Sequence, residues 1–578
     1  MSGSLLLILH SHLPYVIRHG RWPHGAEWLC EAAAECYLPL LNEWHDLRGE
    51  GIVPNVTISI SPVLLEQLAD EEFADLLDDY LRERAASAAD DAKQFALSET
   101  DRHLAPIATF WHDWYRDRRD DFTRRYDRDI VGAFRDLRDA GAIAIQTCGA
   151  THGYLPLLGR DESIHAQVQV AVDTHWRHFR HRPRGIWMPE CAYRPGGWWD
   201  PPMPTHDAES RERLGVEAFI AAGGIDHTVV DAHTVRAGAP VDWYRAMFIG
   251  GGGSGGTRVP LGDPRSVHEP YRIHPTIGSN IPAVSAFPRD VDLALQVWSS
   301  NSGYPGNPPY LEFHKKHHRS GHRYWSVTGR DVDLAAKGPY DPAAAEERIA
   351  HDAATFAHAI VDQLRAYNEA TGRDGMVCLP FDTELFGHWW FEGPRFIGAV
   401  IRRIAATDGL EMSTAAQELD RHGPGLPVTL PESSWGDGGD HRVWMNEETS
   451  WTWRIIWRAE REFLELLESR DRNDPLQERA LRQMARELLL LQSSDWQFLI
   501  TTGTAIDYAE ERFRDHHAAF EAIGGYVRSL RSGAEDLWLF DKLCTYESRD
   551  RLFPSLDLDH WSWKNAEEAL AAPLEGSS

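Results

Sequence analysis

Two segments of the chain place a carboxylic acid directly after an apolar run and among aromatic rings. They are Gly185-Ile186-Trp187-Met188-Pro189-Glu190-Cys191-Ala192-Tyr193 and Leu379-Pro380-Phe381-Asp382-Thr383-Glu384-Leu385-Phe386-Gly387-His388-Trp389-Trp390. A sugar ring has apolar faces and polar edges, so Trp and Tyr stack on the faces while acids and histidines bind the hydroxyls. Two carboxylates set in such walls can carry out glycosidic chemistry. One attacks the anomeric carbon; the other, with a raised pKa, protonates the leaving oxygen and later deprotonates the acceptor. The plainer alternative is that Glu190 and Asp382 pair with arginines or cap helices. The aromatic setting, present twice, favours the chemical reading.

Three histidine motifs accompany them: His10-Ser11-His12-Leu13-Pro14-Tyr15, Thr151-His152-Gly153-Tyr154-Leu155-Pro156 and Asp231-Ala232-His233. A His-x-His after a first strand also opens several metal-dependent hydrolases, so a metal site is a rival to sugar contact, and a satisfied structural histidine is the third reading. No His-Glu-x-x-His spacing supports the metal.

These residues need elements to hold them. Short apolar runs recur at Leu5–Leu9, Val56–Ile60, Ala142–Gln146, Gly185–Met188, Ala218–Ala221, His227–Val230 and Met376–Phe381, each followed by a turn and helical periodicity. Unbroken rather than alternating apolar strands predict a parallel sheet covered on both faces, in an α/β barrel or an open wound sheet. His10, His12, His152, Glu190, Asp231, His233 and Asp382 all follow such runs, which in a barrel is the catalytic rim.

Residues 69–129 are charged and helical in pattern and read as an insertion. Residues 250–256, six of them Gly, read as a loop without the strand–helix setting of a phosphate cradle, and either a mobile flap or plain surface. Beyond about residue 405 the strands thin out. Trp451 to Leu467 and Asp474 to Gln492 have helical spacing, which predicts a helical C-terminal domain over 406–553 and a loosely ordered tail over 554–578.

The composition limits the alternatives. Of 578 residues, 23 are Trp, 17 Tyr and 21 Phe, ample surface for a packed core. A net charge of −29 sets the potential against phosphate backbones and hence against nucleic-acid binding. Six scattered cysteines without a C-x-x-C pair argue against a disulfide framework or a Cys-rich zinc site. No apolar run reaches the length of a membrane span, and a soluble cytoplasmic protein is expected.

Taken together, the ordered blocks resemble glycoside hydrolase family 57, and within it the 1,4-α-glucan branching enzymes. The blocks are HSHLPYV, EWLCEAAAECYLPLL, IQTCGATHGYLPLL, GIWMPECAY, GIDHTVVDAHTV, FPRDVDLALQVWSSNSGYPG, LEFHKKHHRSGHRYWSVTG, LPFDTELFGHWWFEGP, SSWGDGGDHRVWMN and LLLQSSDWQFLI. The resemblance implies an incomplete (β/α)7 barrel over 1–68 and 130–405 with a helical insertion and an all-helical C-terminal domain completing the active site. It implies Glu190 as nucleophile and Asp382 as acid/base. Glucan contacts fall on Arg289, Gly306, Trp435 and Asp495, with His10, His12, Trp28, His152, Trp298 and Trp444 near the site. Read from the residues alone, Arg289 could pair with Asp290 or Asp292, Gly306 could be a turn, and Trp435 and Trp444 could be core. An α-glucan partner, no metal, no organic cofactor and a monomer or small homo-oligomer are expected. An α-amylase, a 4-α-glucanotransferase and a non-catalytic glucan-binding protein are the alternatives. One departure stands out: Met247-Phe248-Ile249 and the Gly-rich stretch occupy the place of an aromatic-tipped flap, for which Tyr271 could supply the tip.

Overall fold

Strands that must be buried on both faces can only sit in the middle of a layered fold, and this is where they lie. The structure, a computed structural model, describes residues 3–236, 265–278, 281–299, 302–533 and 535–562. Seven parallel strands are β1 (Gly3–Ser11), β2 (Val56–Ile60), β3 (Ile143–Cys148), β4 (Gly185–Trp187), β5 (His227–Val230), β6 (Ser285–Pro288) and β7 (Gly375–Asp382). They hydrogen-bond in the order β7-β1-β2-β3-β4-β5-β6. No strand ladder joins β6 to β7 among the described residues; a single bond from the Asp290 N–H to the Cys378 carbonyl (2.9 Å) spans that seam. The protein is an incomplete (β/α)7 barrel.

The period of two along β1 and β7 explains how the rim residues are aimed. Leu6 and Ile8 pair with Cys378 and Pro380, and one step further His10 pairs with Asp382. Leu6, Ile8, Met376 and Cys378 pack inside the barrel with Cys148, Trp187, Val229 and Phe287, while Leu5, Leu7, Leu9, Val377, Leu379 and Phe381 join the outer core against the helices. Alternate side chains of a strand share a face. The inward line that begins with apolar residues therefore ends, at the open top, in a histidine and an acid.

The structure departs from expectation in several places, one of which is β6 (Ser285–Pro288), a strand absent from the expected runs. Ala218–Ala221 lies within a helix, Val216–Ala222, rather than a strand. A four-residue apolar run fits a buried helix as well as a strand, and Gly215 before it and Gly223 after it bound the helix. The sheet also continues beyond residue 405. Leu410–Met412 pairs with β1, and Leu426–Val428 pairs with Tyr271–Ile273, itself antiparallel to β6. Three-residue strands leave too short an apolar signature to stand out in sequence.

Helices Glu71–Leu97 and Ala105–Asp120 occupy most of the charged stretch 69–129. Helices Ser450–Glu468, Pro475–Leu491, Asp495–Thr502, Ile506–Arg531 and Leu537–Arg549 form the helical C-terminal region. Its Trp457 donates to the Leu157 carbonyl (2.9 Å) and its buried Glu460 accepts from the Gly159 N–H (2.9 Å), which fixes it over β3 and β4. No helix among the described residues is long and apolar enough to cross a membrane. The Met247–Ile249 segment, the Gly-rich loop 250–256 and residues 563–578 lie outside the described residues. The first part of the expected loose tail, 554–562, is instead packed, with Leu558 and Trp561 buried on a short helix, Leu558–Trp561.

The loop after β7 has a glycine that nothing else can replace. Gly387 has φ +119°, and a Cβ there would lie 1.9 Å from the Glu35 carbonyl oxygen. Gly387→Ala is expected to lower stability by about 3 kcal/mol or more, read as a fall in thermal midpoint.

Candidate active site

The strand tops bring most of the expected residues into one connected network. Glu190 follows β4 on a tight turn with φ 60° and ψ 23°, and Cys191 beside it has φ 48°. His152, on the turn after β3, has φ 59°. Left-handed backbone at non-glycine residues costs about 1–3 kcal/mol each and persists where surroundings over-determine it. Here they do: the Glu190 carbonyl accepts from the Trp435 N–H (3.0 Å), and the His152 carbonyl from the Ser494 N–H (3.0 Å).

Both oxygens of Glu190 are held. The Trp435 indole N–H donates to Oε2 (2.8 Å) and the Ser494 hydroxyl to Oε1 (3.1 Å). Ser494 Oγ is also 2.7 Å from His152 Nδ1, whose Nε2 meets His10 Nε2 at 3.0 Å, and His10 Nδ1 meets Ser59 Oγ at 3.2 Å. His10 lies flat on Trp187, centroids 4.6 Å apart and 2° from parallel. Burial, with neighbouring imidazoles, keeps His10 and His152 well below the usual histidine range. They therefore form a neutral floor that orients Glu190 without neutralising it.

His12 Nε2 bonds Asp495 Oδ2 (2.9 Å) and its Nδ1 meets Ser61 Oγ (2.9 Å). Asp495 opens the helix Asp495–Thr502, so this pair ties barrel to C-terminal region. Burial alone would raise Asp495, but His12 and the Ser493 hydroxyl hold it below the carboxylate range. The ligand atoms of His12, His152 and Asp495 lie within 4.8 Å of one another, close enough to hold a metal ion. Each nitrogen of the two rings nevertheless already has a protein partner.

Asp382 ends β7. Burial and the charge of Glu384, against Arg289, push it up to about 8. Burial likewise lifts Glu190 to about 7, with Asp382 and Asp495 adding to the rise and the Trp435 bond opposing it. Glu190 thus feels the charge of Asp382. Arg289 follows β6, pairs with Asp231 rather than with Asp290 or Asp292, and lies 5.6 Å from the Trp435 ring centre. Burial would raise Asp231, but Arg289 holds it below the usual range. Trp298 packs on Phe381, ring centres 6.3 Å apart, and Phe381 immediately precedes Asp382 in the chain.

Other expected contacts lie further off. Trp444 is 1% exposed and stacked on Tyr154 (4.6 Å), so it supports the Trp435 loop from the core instead of facing a ligand. Trp28 packs edge-on to His24 (5.9 Å) in the helix Ala26–Ala32. Gly306 lies on a one-turn helix, Tyr304–Gly306, under Arg330, where a Cβ would meet Nη1 at 2.2 Å. Tyr271 supplies no flap tip. It is buried in a strand with its hydroxyl donating to the Ser266 carbonyl (2.8 Å). Sequence reasoning missed Ser494 and Glu384, which sit beside residues it named; Glu384 accepts from the Tyr37 hydroxyl (2.5 Å) and the His12 N–H (3.3 Å).

Trp435→Phe removes the indole donor and keeps the ring. A hydrogen bond to a charged group is worth about 1.5–3 kcal/mol, so turnover at neutral pH should fall about 10- to 100-fold. Losing a bond that lowers Glu190 also shifts the acid limb of the kcat/KM profile to higher pH, and that shift is the measurement.

Comparison with known proteins identifies the family. The profile described as "Glycosyl hydrolase family 57" matches residues 6–429, and that described as "1,4-alpha-glucan branching enzyme, C-terminal" matches residues 455–561. The 1,4-alpha-glucan branching enzyme TK1436 of Thermococcus kodakarensis is 38% identical over 555 residues, covering 96% of this chain and 78% of that protein. Its crystal structure superposes with a TM-score of 0.88, covering 97% of this chain and 96% of the other. The GH57-type branching enzyme of Pyrococcus horikoshii gives 0.86 at 37% identity, covering 97% of each chain. The alpha-amylase AmyC of Thermotoga maritima gives 0.78 at 28% identity, covering 97% of this chain and 99% of the other. The profile spans most of the chain and the relatives nearly all of it: the chain belongs to glycoside hydrolase family 57.

Proposed function

We propose that this chain is a 1,4-α-glucan branching enzyme working by retaining double displacement, with Glu190 as nucleophile and Asp382 as acid/base. The observation that carries the assignment of roles is the contrast between the two acids. Glu190 is gripped at both oxygens by donors that favour its charged form. Asp382 is lifted further, to about 8, by burial and the adjacent Glu384. In the window where Glu190 is ionised and Asp382 protonated, Glu190 attacks C1 of a glucose within an α-1,4 chain. Asp382 gives its proton to the departing O4. A glucosyl ester on Glu190 remains. Asp382 then takes the proton from an acceptor 6-hydroxyl, whose oxygen attacks C1, breaks the ester and frees Glu190, leaving an α-1,6 branch. Stacked aromatic rings and fixed dipoles favour the oxocarbenium-like transition state.

Arg289 holds Asp231 and faces Asp382 and Trp435; in this reading it orders the wall against which the glucan lies. Asp495, His12, His10 and His152 position Glu190, Trp298 borders Asp382, and Trp28 and Gly306 shape the approach. The catalytic unit comprises residues 1–68 and 130–405, the insertion 69–129 and the part 406–553, which adds two short strands to the sheet before its long helices begin.

The test is amylose incubated with purified protein. New α-1,6 ends after debranching, with a fall in iodine staining and little gain in reducing sugar, support the reading; reducing sugar without branches overturns it. That second outcome is the one an α-amylase would give, and the shared fold with AmyC makes it the specific alternative.

A further inference from the structure

Beyond the carboxylates, the loop that leaves β7 carries a feature the chemistry above does not use. Residues 383–390 fold back on themselves: Phe386 N–H bonds Thr383 (2.9 Å), Trp389 N–H bonds the Glu384 carbonyl (3.1 Å), and Trp390 N–H bonds Leu385 (2.8 Å). Phe386 and Trp390 are 1% exposed and His388 7%, yet Trp389 between them is 48% exposed. Its indole is no loose end. It stacks on Phe313, centroids 4.6 Å apart and 28° from parallel.

The pair is held from below. Arg323 donates to the His388 carbonyl (3.2 Å) and to Glu35 (2.6 Å), and its guanidinium also packs on the Phe313 ring at 5.8 Å. Lys316 sits over the same ring at 5.7 Å, and the neighbouring His314 side chain is 72% exposed. A fixed, half-exposed indole with hydrogen-bonding side chains at its margin is the arrangement that binds a sugar face and its hydroxyls. Rigidity matters too, since a platform already in place avoids the cost of ordering it on binding.

We propose that Trp389 and Phe313 form an α-glucan subsite on the acceptor side of the cleft. The side follows from connectivity and from the reaction proposed above, on which this inference rests. The acid/base group meets both the departing chain and the incoming hydroxyl, and Trp389 stands on the loop rooted at that group. A glucan chain held there raises the local concentration of acceptor hydroxyl over water.

Three variants test it: Trp389→Ala, Phe313→Ala and the conservative Trp389→Phe. Because Trp389 is half exposed, thermal midpoints should stay near that of the parent. With maltosyl fluoride as donor and maltoheptaose as acceptor, Trp389→Ala should lower the ratio of transfer to hydrolysis about tenfold and raise the acceptor KM about 5- to 20-fold; Trp389→Phe should recover most of both. Calorimetric binding of maltoheptaose should weaken by a similar factor. An unchanged ratio together with unchanged maltoheptaose affinity in Trp389→Ala overturns the subsite. Failure of the parent chain to branch amylose overturns the function instead, and the binding measurement still decides the platform by itself.

Discussion

Glu190→Gln is expected to lower branching of amylose by about 10⁴-fold or more while leaving the protein folded, because no other group stands ready to form the glucosyl ester. The substitution is unusually well tolerated on geometric grounds. A glutamine oxygen can accept from the Trp435 indole, and its amide can donate to the Ser494 hydroxyl, which accepts as readily as it donates. The backbone turn with φ 60° is held by the Trp435 N–H regardless of the side chain. The stability effect has a definite sign. Burial lifts Glu190 to about 7, from an ordinary 4.5. Its ionisation therefore costs the folded state nothing below the unfolded value and progressively more as pH rises through the folded one. Glu190→Gln escapes that penalty, so its thermal midpoint should match the parent near pH 4 and exceed it near pH 8. Two midpoint measurements and one activity assay check both halves. Retained activity removes Glu190 from the role of nucleophile, and an alkaline midpoint below the parent's contradicts the account of its burial.

What the sequence disclosed and what it withheld follow from the same physics. Six of the seven barrel strands were legible where an apolar run met a turn, since burial on both faces leaves an unbroken signature; Val56–Ile60 and His227–Val230 match their strands residue for residue, while the short β6, Ser285–Pro288, was missed. The long helices Ser450–Glu468 and Pro475–Leu491 were legible from their spacing. Ala218–Ala221 was misread because four apolar residues carry no period at all. In the site, the residues that could be named were those of distinctive chemistry directly after strands. Ser494 was passed over since a serine has a hundred ordinary uses, and its role exists only because the start of the helix Asp495–Thr502 meets the turn at His152, 342 residues away in sequence. Trp444 shows the opposite error. A tryptophan in an aromatic-rich block looks like a sugar contact until its neighbours are known, and here Tyr154 and the core claim it.

Asp382→Asn should separate the two chemical steps. The variant cannot protonate a departing glucan, so cleavage of amylose should fall about 10³-fold or more, within the range in which general acid–base catalysis and its positioning act together. A maltosyl fluoride donor needs no proton on its leaving group, and its first step should be far less affected. The glucosyl ester then accumulates, because no base remains to activate the acceptor. Azide, a nucleophile that needs no deprotonation, should restore turnover by displacing the β-configured ester and give an α-linked glycosyl azide, whereas azide acting directly on the α-donor in Glu190→Gln would give the β anomer. The pH profile supplies an independent check. With Glu190 near 7 and Asp382 near 8, the parent's kcat/KM should be bell-shaped, rising as Glu190 ionises and falling as Asp382 does. Removing Asp382 abolishes the alkaline limb, and by deleting a negative charge that raises Glu190 it also moves the acid limb to lower pH. A loss of the acid limb with the alkaline limb intact would exchange the roles of the two residues, since the group that must be ionised to react and the group that must be protonated to react define opposite sides of the curve.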